Sequence, residues 1–321
     1  MRCVRQRMAL WLNRNWLRET VMALTIPTIS DCPDVLDAAL VAQFHRDGYL
    51  AFENVLTTEE VEAAKDALTV VHARQYEAAK AGRAQVREAN PKATKNYSGM
   101  SLITPDSGFG IHYEPGLNPM DLTVDEAEAK FRKMHGYEDQ HPIFQALIKH
   151  DRTKGFIESV LGERAVLKGT MALSKPPFIG SEKPWHQDNA YFNWLPLEAL
   201  ATAWIALDDA TIENGCMHVL QGMHVKGAFK HCHTIDCQIV PGRLDYSDAI
   251  PVELKAGGAM IFSSMLPHQT PPNSSAGRRR ALQFQYRGES TRAVSKEEFG
   301  KVFVEADGTP ASCALGERVD G

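Results

Sequence analysis

The chain has 321 residues, 44% hydrophobic and 23% charged, with a formal net charge of −5. That is enough apolar material for a large core, and the mildly acidic balance offers no electrostatic basis for a nucleic-acid or anionic-membrane partner. No run of 18 apolar residues predicts a membrane-spanning helix.

The six cysteines (Cys3, Cys32, Cys216, Cys232, Cys237, Cys313) include no C-x-x-C pair. They read as reduced thiols, which predicts a cytoplasmic protein without a disulfide framework. Residues 1–22 carry Arg2, Arg5, Arg7, Arg14 and Arg18 against a single Glu19. They read as a poorly ordered leader, and residues 23–321 as one domain.

In chain order, residues 37–48 read as an amphipathic helix closed by Gly48, followed by a strand over 49–56. The run Thr57-Thr58-Glu59-Glu60 places a cap and two acids at the start of a helix reaching to about Ala84. Residues 85–125 are rich in Asn, Pro, Ser and Gly. They read as a long lid-like loop with a short strand from Gly110. Helical patterns return at 124–134 and 142–160.

From Ala165 the pattern turns to short β-type runs at 165–173, 185–192, 200–208, 216–220, 250–253, 259–262 and 281–286. Helices followed by many short strands predict a mostly β fold with flanking helices, an antiparallel two-sheet barrel with its core at about 165–290. The tail from 288 onward is polar and carries no clear pattern.

The chemistry concentrates in Trp185-His186-Gln187-Asp188. In an extended segment, residues two apart share a face, so His186 and Asp188 converge. An imidazole and a carboxylate lack one ligand of the two-histidine, one-carboxylate triad that leaves open positions on ferrous iron. His268, just after the apolar run 259–262, is the candidate third ligand.

Arg279, the middle of Arg278-Arg279-Arg280 at the head of a strand, stands eleven residues later. Only alternate residues of a strand face inward, so Arg279 points opposite to its two neighbours. An inward guanidinium suits a bidentate pair with a carboxylate.

These residues resemble the phytanoyl-CoA dioxygenase family. Trp204-Ile-Ala-Leu-Asp-Asp-Ala, Glu213-Asn-Gly, Lys175-Pro-Pro177 and Gln221-Gly-Met-His224 extend the likeness over about 35–290, although Gln221 and Met223 depart from the family's Pro-Gly-Ser-His.

The resemblance implies a double-stranded β-helix, a jelly-roll or cupin-like core. It implies Fe(II) held by His186, Asp188 and His268, with 2-oxoglutarate and O2 as co-substrates. Arg279 would take the far carboxylate of 2-oxoglutarate, and position matching adds Thr270, Trp204, Met171 and Lys133 as co-substrate contacts.

The implied reaction hydroxylates an unactivated C–H bond of a small organic substrate and releases succinate and CO2. Related halogenases carry Gly or Ala at the place of Asp188, so its carboxylate implies hydroxylation and not halogenation. Two rival readings remain open: a binding or sensor protein of the same fold, and a zinc hydrolase using the same ligands.

Lys133 fits a solvated helix charge as well as a ligand, and Trp204 and Met171 fit core positions. His231-Cys232-His233 with Cys237 matches no closed zinc site and reads as an exposed loop. His112 and His224 read as structural.

Overall fold

The computed structural model describes residues 32–88, 99–105, 107–233 and 236–313. The expected leader at 1–22 lies outside them, as does the middle of the expected lid at 89–98. Strands dominate: β1 (Tyr49–Phe52), β2 (Gln85–Glu88), β3 (Met100–Ile103), β4 (Gly110–Tyr113), β5 (Phe131–His135), β6 (Ala165–Lys175), β7 (Lys183–His186) and β8 (Trp194–Leu195). The chain continues with β9 (Leu200–Ala206), β10 (Met217–Val219), β11 (His231–His233), β12 (Cys237–Ile239), β13 (Ile250–Val252), β14 (Ala259–Ser263), β15 (His268–Thr270), β16 (Arg279–Gly288) and β17 (Arg292–Ala293).

Nine strands form one antiparallel sheet in the order β1-β14-β9-β16-β6-β5-β4-β3-β2, and four form a second in the order β13-β10-β15-β7. This is the two-sheet, mostly β architecture with flanking helices that the pattern predicts.

Strand alternation gives the large sheet two different faces. On β9 and β16, Ala201, Ala203, Ile205, Leu282, Phe284 and Tyr286 join the main apolar core. The residues between them, Thr202, Trp204, Gln283 and Gln285, are buried too, on the opposite face toward the second sheet.

Helices supply the other half of the main core. They are α1 (Ala38–Asp47), α2 (Thr58–Lys80), α3 (Val124–Ala129), α4 (Pro142–Ile148) and α5 (Phe156–Leu161). Their local signals are strong. Asp37 caps α1, Gly48 closes it in a left-handed conformation, and Thr57 with Glu60 forms a reciprocal capping box on α2. A short α6 (Lys296–Val302) follows the last strand.

Four expectations are corrected. Residues 85–125 are not one long loop: β2, β3 and β4 extend the large sheet to its edge, and the four residues of β2 are exposed. Edge strands read as polar because they have no second layer to bury against. The helix expected at 124–134 stops at Ala129. Phe131 and Met134 then turn inward from β5, so Lys133 is a strand residue and not a solvated helix charge.

His231 and Cys232 are buried on β11 and not exposed on a loop. Finally, Cys237 and Cys313 form a disulfide across 76 residues of sequence, against the expectation of free thiols throughout. Cys32, Cys216 and Cys232 are free.

One glycine is dictated by its surroundings. Gly215, in the turn before β10, has φ +84°, and a Cβ there would lie 2.3 Å from the Pro271 carbonyl oxygen. Only glycine satisfies both demands. Gln221, one of the departures from the family pattern, donates to the Asp47 carboxylate at 2.9 Å at the end of α1.

Among the described residues, no helix is long and apolar enough to cross a membrane.

Candidate active site

β7 and β15 are antiparallel neighbours, and their register sets His186 opposite His268. The strand expected over 185–192 ends at His186, and Asp188 opens a short 3-10 turn. The turn still carries the carboxylate back to the two imidazoles. Asp188 Oδ1 lies 3.5 Å from His186 Nε2 and 3.9 Å from His268 Nε2, and the three ligand atoms lie within 4.8 Å of one another.

Each imidazole is aimed by its own backbone. His186 Nδ1 donates to the Pro184 carbonyl at 2.8 Å, and His268 Nδ1 to the Leu266 carbonyl at 2.9 Å. With Nδ1 protonated, the Nε2 lone pairs point at Asp188, an arrangement typical of metal-ligating histidines. Burial, then the neighbouring His186, holds His268 down to about 3, so this ring is neutral near pH 7.

Burial disfavours an ionised Asp188. The His186 hydrogen bond, the two imidazoles and Thr202 more than offset it and keep the carboxyl below its usual range. Thr202 Oγ1 donates to Asp188 Oδ2 at 3.2 Å, and Gln285 Nε2 approaches the same oxygen at 3.5 Å. Two neutral nitrogens and one carboxylate form a donor set that suits a divalent transition metal.

The three ligands line a cavity of about 530 Å³ between the two sheets, a volume in the range of small-molecule sites. Every one of the other predicted site residues lines it as well: Arg279, Thr270, Trp204, Met171 and Lys133. Arg279 is 1% exposed, as strand alternation predicts. Its neighbours turn away, Arg278 to Glu128 at 2.7 Å and Arg280 to Asp208 at 2.8 Å.

The Arg279 guanidinium sits 5.4 Å from the Trp204 ring centre, and burial pulls it down to about 10. Its Nε and Nη1 have no hydrogen-bond partner, and neither has the buried Trp204 Nε1. Three orphaned donors at one spot are costly unless a ligand accepts from them. Burial likewise lowers Lys133 to about 8.

His112 is structural in the sense expected of it, bonded to Ser101 at 2.8 Å and stacked on His135, and His224 bonds the His45 carbonyl.

The residues 44–281 match the model of the phytanoyl-CoA dioxygenase (PhyH) family. The chain belongs to that family. It is 26% identical over 253 residues to a phytanoyl-CoA dioxygenase domain-containing protein 1 homolog of Dictyostelium discoideum, covering 75% of this chain and 87% of that one. It is 24% identical over 260 residues to a phytanoyl-CoA dioxygenase of Arabidopsis thaliana, covering 78% and 86%.

The fold is shared with solved structures of low identity. EctD from S. alaskensis in its apoform aligns with a TM-score of 0.58 at 20% identity, over 92% of this chain and 93% of that one. The non-heme alpha-ketoglutarate-dependent carbocyclase SnoK aligns at 0.57 and 18%, over 91% and 96%. EvdO2 from Micromonospora carbonacea var. aurantiaca aligns at 0.55 and 21%, over 84% and 96%.

Among the cavity residues not named as site residues from the sequence are Lys168, Lys175, Gln283 and Gln285. Three of these were legible by parity. Gln283 and Gln285 share the parity of Arg279 on β16, and Lys175 that of Met171 on β6. Lys168 has the wrong parity, for a reason taken up below.

Proposed function

We propose that this PhyH-family protein is an Fe(II)- and 2-oxoglutarate-dependent oxygenase that hydroxylates an unactivated C–H bond of a small organic substrate. The observation that carries the reading is the buried, partnerless guanidinium of Arg279 opening onto the same cavity as the His186–Asp188–His268 cluster. A metal site alone fits many reactions. A metal site facing an orphaned arginine fits one whose co-substrate ends in a carboxylate.

Bound between the three ligands, iron(II) supplies the redox chemistry that couples decarboxylation of 2-oxoglutarate to substrate oxidation. The chain's own residues do the rest. Arg279 and Trp204 turn three buried donors toward an anion, and Thr270 adds a hydroxyl from β15. Thr202 and Gln285 hold the Asp188 carboxylate in place. Met171 and Lys133 wall the same space from β6 and β5.

The Arg279 guanidinium lies 5.4 Å from the Trp204 ring centre, and Thr202, which bonds Asp188, is two residues from Trp204 along β9. Burial of every one of these groups keeps bulk water from competing for them.

The carboxylate at 188 occupies the place a halide would need, which supports hydroxylation over halogenation. A zinc hydrolase with the same ligands would leave Arg279 and Trp204 Nε1 without a purpose.

The test is an anaerobic titration of the metal-free protein with iron(II) and then 2-oxoglutarate, following the visible metal-to-ligand charge-transfer band. The band forms in the native protein and is lost in His268→Ala and in Arg279→Ala. Iron binding without a band would sink the 2-oxoglutarate assignment, and no metal binding at all would favour a binding protein of the same fold.

A further inference from the structure

The antiparallel register between β6 and β16 is regular from Arg279 opposite Lys175 to Gln285 opposite Gly169, then slips, so that Tyr286 faces Leu167. Lys168 is the extra residue: Lys168 and Gly169 together stand opposite Gln285. A β-bulge of this kind re-aims a side chain, and here the effect can be followed residue by residue. Leu167 packs against the main core, as Ala172 does, whereas Lys168, Gly169 and Met171 line the cavity. Without the bulge, strand parity would send residue 168 to the other face.

The ammonium so delivered makes no ion pair among the described residues, and its Nζ rests 3.3 Å from the centre of the Phe192 ring. The other cavity cations are differently placed. Lys183 pairs with Asp236 at 2.6 Å, and Lys175 donates to the Ser181 and Thr270 carbonyls.

Position along the strand separates Lys168 from the co-substrate end. Lys175 is level with Arg279. Gly169 is level with Gln285, which reaches Asp188. Lys168, which shares the level of Gln285 with Gly169, therefore stands about 20 Å along β6 from Lys175, at the level of the metal ligands.

The cavity as a whole leans the same way. Its lining carries Arg132, Lys133, Lys168, Lys175, Lys183 and Arg279 against Glu138, Asp188 and Asp236. A divalent metal adds two positive charges and a bound diacid removes two, leaving this balance unchanged, while burial holds Lys175 well below the usual lysine range. Burial lowers the Lys168 ammonium to about 8, with Asp188 pulling it back up.

Taking the function proposed above as given, we infer that the primary substrate is a small organic acid, carrying a carboxylate or phosphate group, and that Lys168 is the residue that binds its anionic group. The bulge gives that group a fixed anchor at the level of the metal ligands, at the other end of β6 from the Arg279 level, and Phe192 beside it offers an apolar wall to the rest of the molecule.

The experiment uses the full chain loaded anaerobically with iron(II) and 2-oxoglutarate. A panel of small carboxylic acids, their methyl esters, phosphate monoesters and the parent alcohols is titrated by calorimetry. The expected result is saturable binding confined to the anionic members, the acid and phosphate arms telling which anion is preferred. Lys168→Met, which keeps the length of the side chain, weakens the tightest anion about 10- to 100-fold, and Lys168→Arg restores most of it. Lys168→Gln serves as a second neutral variant should the methionine fold poorly.

Binding of esters and alcohols as tight as that of their acids, no binding by any member, or an unchanged anion preference in both neutral variants overturns the inference. The charge-transfer band is read in the same samples. Its absence counts against the co-substrate assignment, whereas its presence without anion preference counts against Lys168 alone. Calorimetry of the panel is read either way.

Discussion

The three consecutive arginines show how far single residues can be read from sequence. Strand parity alone predicts that Arg279 differs from Arg278 and Arg280, and the structure buries the first and pairs the other two with acids. The buried guanidinium is a burden on the empty fold, because two of its donors are desolvated without a partner. Arg279→Met is therefore expected to abolish 2-oxoglutarate binding while raising the stability of the metal-free protein by about 1 kcal/mol or more. Denaturant midpoints of the two apo-proteins check this, and a destabilised variant would contradict it. Thr202→Val tests the support of Asp188. If Asp188 ligates iron(II) as proposed, losing this hydrogen bond is expected to weaken iron(II) affinity roughly 10-fold or more, measured by competition with a chelator. The two histidines and Asp188 were readable because identical chemistry recurs at fixed spacing. Thr202 was not singled out, because a threonine on an apolar strand has no signature until its neighbour is known.

Elements were legible where their caps were. Thr57-x-x-Glu60 marks the start of α2, and Gly48 marks the end of α1. They were misread where position in the sheet overrides composition. β2 looks like loop because an exposed edge strand needs no apolar alternation, whereas β4 was legible from Gly110. In β5, the charged pair Arg132 and Lys133 hides the inward Phe131 and Met134. A bulge is harder still, since one added residue leaves no mark in the pattern and reverses the facing of what precedes it. Turns carry their own constraint. Gly215→Ala must place a methyl group against the Pro271 carbonyl at a φ that L-residues avoid. Thermal unfolding is expected to show a loss greater than 1 kcal/mol, and a neutral outcome would mean that the turn relaxes away from β15.

For the molecule as a whole, helices before strands announced a two-layer β fold with helical cover, and that layering places the cavity between the sheets. The Cys237–Cys313 bond was beyond reach from sequence, because 76 residues and two unrelated motifs separate its ends. It ties the segment after α6 to β12, next to Asp236, the partner of Lys183 on β7. Cys313→Ser is expected to lower stability by about 2–4 kcal/mol through the freed loop of the unfolded chain. Equal denaturant midpoints with and without reductant would show that the bond contributes nothing. On β9 and β16 the even and odd positions serve different masters, core on one side and chemistry on the other. Mutation can thus explore one register while the other goes on holding the fold. Randomising Gln283, Met171 and Lys168 should yield well-folded progeny with altered appetites, a division of labour that lets one scaffold accumulate new reactions without first surviving instability.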